Sequence, residues 1–147
     1  MEVTMRFIAI LLGLLSCAAV SHAQSMTSHL AKIDDAAALN AAVADISKLS
    51  SRQAEALAQA MTNCWDGLAA RGATDRAFEE CARSHRYFLF ITDDEAPVRQ
   101  VYDSWYVECV VKGTKGNKQR NAMLIGIEQA FSAAIRKRFD VLDHEHK

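Results

Sequence analysis

The chain has 147 residues, half of them apolar, with one proline and six glycines, which is enough to bury a core and argues against a disordered or linker-rich protein. Lysine and arginine number 17 against 18 acids, and the formal charge of −1 provides no global field toward nucleic acid or an anionic membrane surface.

The first segment reads as an export signal. Arg6 precedes an apolar run from Phe7 to Val20, and Ser21-His22-Ala23 closes it with small residues at the −3 and −1 positions. The run is shorter than the roughly 20 apolar residues of a membrane span. Residues 1–23 are therefore expected to be removed, leaving 24–147 as a single helical domain that works outside the cytoplasm. Leu14-Leu15-Ser16-Cys17 also loosely resembles the lipobox of bacterial lipoproteins. On that alternative the protein is membrane-tethered through Cys17.

Five helical segments follow. The first is expected from about Thr27 to Leu49, with Leu39, Val43, Ile46 and Leu49 on one stripe and Asp34-Asp35 facing away. Ser50-Ser51-Arg52-Gln53 has the spacing of a capping box opening the second helix. Ala54, Leu57, Ala58, Met61, Trp65 and Leu68 then recur at helical intervals. Gly72 suits a left-handed helix end, and Thr74 the next N-cap. The third helix carries Ala77, Phe78, Cys81, His85 and Phe88 on one face, with Tyr87, Phe90 and Ile91 extending its apolar surface. Pro97 suits the first turn of a fourth helix bearing Val98, Val101, Tyr102, Trp105 and Cys109. A break at Gly113–Asn117 precedes the last helix, from about Lys118 to Leu142. Nothing reads as a strand. The expected fold is all-α, a compact bundle of about five helices with one disulfide.

Apart from Cys17, three cysteines remain. Cys64 and Cys81 are equidistant from the Gly72 turn, so an antiparallel hairpin brings them face to face. Cys81 and Cys109 are likewise equidistant from the wider turn near Glu95. The sharper turn favours Cys64–Cys81, with Cys109 left as a small apolar residue or an intermolecular bridge.

No enzymatic constellation assembles. Cys81 and His85 share a helix face at the spacing of a thiolate–imidazole pair, but Cys81 is better explained by a disulfide. The Asp143–His146 tail is too short and free to fix metal geometry. Neither a metal nor another cofactor is expected. Two features look like recognition. The loop containing Lys112, Thr114, Lys115, Asn117, Lys118 and Arg120 is cationic and glycine-broken, and Tyr106 lies just before it. The turn at Asp93 and Asp94 is the acidic counterpart. Tyr87, Phe90, Tyr106, Val107 and Val110 form an apolar surplus that either fills the core or anchors an interface.

A signal peptide, one helical domain and a Cys64–Cys81-type staple together resemble the small periplasmic immunity proteins directed against type VI secretion amidase effectors. The resemblance is one of architecture. It implies a non-enzymatic binding protein that inhibits a cognate peptidoglycan amidase by occluding its active site, with the cationic loop as first candidate and the acidic turn as second. The alternative expectation is a structural or assembly component of the envelope acting as a homo-oligomer, in the simplest case a homodimer. A third is a ligand-binding or redox domain using Cys81, His85 and Met61.

Overall fold

Capping chemistry marks where the helices begin. The computed structural model describes residues 33–68, 72, 74–113 and 115–145, so the signal segment, Cys17, Thr114 and residues 27–32 of the expected first helix lie outside the described residues. Helix α1 (Ala36–Ile46) starts at Asp35, whose carboxylate accepts from Ala37 N at 2.8 Å. Asp34 and Asp35 are exposed, as expected, but the helix begins only after them. Asp35 caps the helix, and Asp34 pairs with Arg120 at 2.6 Å.

Helix α2 (Ser51–Met61) begins with the expected capping box. Gln53 N donates to Ser50 Oγ, and Ser50 N donates to Gln53 Oε1 at 3.0 Å. Helix α3 (Asp75–Phe90) starts at Thr74, whose hydroxyl accepts from Ala77 N, and Gly72 before it has φ +77°. Helix α4 (Pro97–Tyr106) has its proline in the first turn. Helix α5 (Lys118–Glu145) is preceded by Asn117, whose side-chain oxygen accepts from Arg120 N at 2.9 Å.

Two helices end in wide π-type turns, Thr62–Asp66 after α2 and Val107–Val111 after α4. In the second, Lys112 N donates to Val107 O at 2.9 Å, a step of five residues in place of four. The two π segments lie against each other.

The described residues form an all-α bundle. Helix α1 packs on α4 and α5, α2 on α3 and α5, and α3 also on α4. Trp105, Tyr102, Phe88 and Phe131 are the bulkiest members of one continuous core that takes residues from every helix. Trp105 is fully buried, and its Nε1 donates to Leu124 O at 3.2 Å, tying α4 to α5 while satisfying the indole. Arg138 donates through Nε to Leu49 O at 2.9 Å, so at least this cation near the end of α5 closes the α1–α2 turn.

Cys64 and Cys81 form the disulfide across the α2–α3 hairpin, with Cα atoms 4.5 Å apart. The Tyr102 hydroxyl lies 3.8 Å from Cys64 Sγ. A disulfide sulfur carries no hydrogen, so the phenol is the donor. Burial, then the nearby Tyr106 and Asp103, raise the Tyr102 pKa far above the ordinary phenol range. It therefore stays a neutral donor.

Candidate functional site

The apolar surplus divides between core and surface. Val110 is buried and Tyr106 half-buried, whereas Tyr87 and Phe90 are exposed, Phe90 to 83 %. Tyr106 stacks face to face on His85, with centroids 3.6 Å apart and planes 8° from parallel. His85 is 7 % exposed, and its Nε2 lies 3.1 Å from Asp103 Oδ1. Its Nδ1 is buried and has no hydrogen-bond partner among the described residues. Cys81 is in the disulfide and Met61 in the core, so neither the thiolate–imidazole pair nor a Cys81–His85–Met61 ligand set is assembled. No group of three His, Cys, Asp or Glu among the described residues is placed to hold a metal. No helix among them is long and apolar enough to cross a membrane.

The cationic loop is partly committed to the protein's own carboxylates. Lys112 Nζ is 2.8 Å from Glu108, and Arg120 contacts both Asp34 and Glu108, the latter at 3.4 Å. Asn117 caps α5. Lys115 and Lys118 are exposed and have no ion-pair partner among the described residues. Tyr106 stacks on His85 and takes no part in these ion pairs.

A groove of about 730 Å³ lies between the loop and the ends of α2, α3 and α4. Trp65, Phe78, Val111 and Ile125 give it an apolar wall, and Lys112 and Lys115 stand on its rim. Cys109, also in its lining, is the free cysteine, and burial pushes its thiol pKa up to about 12. A thiol so protonated is a poor partner for an intermolecular disulfide.

The acidic turn has a different construction. Phe90 ends α3 immediately before it, and the last carbonyls of that helix are held by side chains from three directions. Arg99 donates from one nitrogen to Leu89 O and Thr92 O, each at 2.7 Å. Gln53 Nε2 reaches across from α2 to Ile91 O at 3.0 Å, and the Thr92 hydroxyl donates to Phe88 O at 2.8 Å. Arg99 also pairs with Asp94, so Asp94 belongs to the brace, while Asp93 and Glu95 are exposed beside it. One turn before Phe90, Tyr87 accepts from Arg52 Nε at 3.0 Å, and that guanidinium lies over the tyrosine ring.

The sequence singled out Asp93, Asp94 and Phe90, but not the brace. Gln53 and Arg99 act on carbonyls 38 and 10 or fewer residues away, and a polar side chain's distant partner has no local signal. No family model matches the chain, no curated protein matches it, and no solved structure matches it.

Proposed function

We propose that the protein is an exported, non-enzymatic inhibitor that protects its producer from a cognate peptidoglycan amidase by covering that enzyme's active-site groove in the periplasm. The observation that carries this reading is the exposed Phe90 ring on a helix end that Arg99, Gln53 and Thr92 hold in place. A bare phenylalanine on a mobile segment would lose much of its binding energy to ordering. On a braced end it is preorganised. Tyr87 and Arg52 beside it are residue types that dominate interface energetics. Asp93 and Glu95 supply negative charge suited to a cationic groove rim, which favours fast and selective encounter.

The test is capture of a partner by the tagged protein from extract of the producing organism, followed by assay of the captured hydrolase. The expected result is one stoichiometric, salt-resistant partner whose activity falls on binding. Phe90→Ala should weaken inhibition about a hundredfold, as for a central aromatic anchor, with the melting temperature unchanged. Asp93→Lys should act mainly on the association rate. Recovery of only the protein itself, or of envelope scaffold components, would replace this reading by that of a homo-oligomeric structural component.

A further inference from the structure

The groove at the α4–α5 loop is independent of the Phe90 surface. Phe78 on its wall and Phe90 lie at opposite ends of α3, about 18 Å apart along the axis. The inhibitor reading does not use it.

We infer that this groove binds a fatty carboxylate, with the single alkyl chain against Trp65, Phe78, Val111 and Ile125 and the head group at Lys115. Three observations lead there. The first is size and lining: about 730 Å³ falls within the range of small-molecule sites, which are mostly apolar with a few polar groups that orient the ligand. Val111 is 64 % exposed on that wall, so an alkyl chain would cover apolar surface now left in water.

The second is charge. The lining holds Lys112 and Lys115 and no carboxylate among the described residues. Lys112, Glu108, Arg120 and Asp34 form a linked set with equal numbers of each sign. Lys115 stands outside that balance. The groove therefore presents one uncompensated positive charge beside an apolar wall, the complement of an amphiphile with one negative charge. A polyanion would lack enough cations, and a neutral lipid would leave Lys115 unused. The Cys109 thiol, held neutral by burial, adds no competing negative charge.

The third is backbone. Both π segments contribute to the groove, through Trp65 from one and Cys109, Val110 and Val111 from the other. Such wide turns are rare and are often found at functional sites. Here they place Trp65 and Val111 in the lining of one concavity.

Dodecanoate below its micellisation threshold, octanoate and dodecanol are titrated into the processed protein and followed by calorimetry and tryptophan emission. Dodecanoate should saturate at one per chain. It should bind more tightly than octanoate by up to about fourfold per added methylene. Dodecanol should bind up to about fivefold more weakly, and Lys115→Glu should cost dodecanoate about fivefold, one exposed ion contact being worth up to that much. Val111→Asp should abolish binding while circular dichroism and thermal unfolding stay near wild type. Absence of saturable binding would overturn the inference. So would equal affinity for dodecanol, or unchanged dodecanoate affinity in both variants.

Discussion

Glu108 sits where three charged side chains meet, and its ionisation tests whether that cluster contributes to stability. Burial acts to raise its pKa. The hydrogen bond and charge of Lys112, with those of Arg120, outweigh burial and hold the carboxyl below the usual carboxylate range. A carboxyl with a lower pKa folded than unfolded binds its proton more readily unfolded, so acid favours unfolding. The contribution is present above the unfolded glutamate pKa, about 4.3, and disappears as pH falls through the lower folded value. Glu108→Gln should therefore lower the melting temperature at pH 7, and the gap to wild type should narrow as pH falls below the unfolded glutamate value. A gap that stays constant with pH would mean that the residue matters through packing alone. This cluster was only half legible in the sequence. Lys112 and Glu108 are four apart on one helix, a visible spacing, whereas Arg120 meets Asp34 across 86 residues. The same contrast separates the Ser50–Gln53 capping box, readable from four adjacent letters, from the stacking of Tyr106 on His85, which depends on how α3 meets α4.

At the scale of the element, the end of α3 departs from an ordinary helix terminus. The last carbonyls of a helix lack intrahelical donors, and water commonly serves them. Here Arg99 and Gln53 serve them from neighbouring helices, which joins the α3–α4 turn to the rest of the bundle. Arg99→Met keeps most of the stem and removes the donors, leaving two part-buried carbonyls to find water. The expected cost is about 2 kcal/mol by urea denaturation. Amide exchange should accelerate around residues 89–96 ahead of the core helices. An unchanged exchange pattern would show that the turn holds its shape without the guanidinium. Helix starts at Ser50, Thr74 and Pro97 were visible in the sequence because a cap is local chemistry. The two π segments were not: Thr62–Asp66 and Val107–Val111 are poor in strong helix formers, but low propensity does not say that a turn widens rather than ends. Their wide turns arise where the two helix ends meet, which is a tertiary circumstance. The groove they help build was hidden for the same reason. Trp65 and Phe78 appeared only as members of apolar stripes, and the stripes do not say which member stands at the edge of the core.

For the molecule as a whole, the disulfide and the brace restrain different ends of the same hairpin. Cys64–Cys81 joins the first π segment to the N-terminal half of α3, one residue from Trp65 on the groove wall. Arg99, Gln53 and Thr92 hold the other end of α3 without it. Closing a 17-residue separation is worth about 3 kcal/mol in the chain-entropy account, drawn mostly from the unfolded state. The Cys64→Ala, Cys81→Ala double variant should therefore lose about that much stability to denaturant and still fold, because the core residues around the pair remain. Its losses should also be uneven. Amide exchange should rise first at residues 62–68 and 77–82, and the groove should lose dodecanoate affinity, while the Phe90 end stays protected. A uniform rise in exchange would mean that the bundle opens as one unit and that the two surfaces share their rigidity. The uneven result follows from where the restraints sit: covalent at the groove end of α3, and a network of side-chain hydrogen bonds at the Phe90 end.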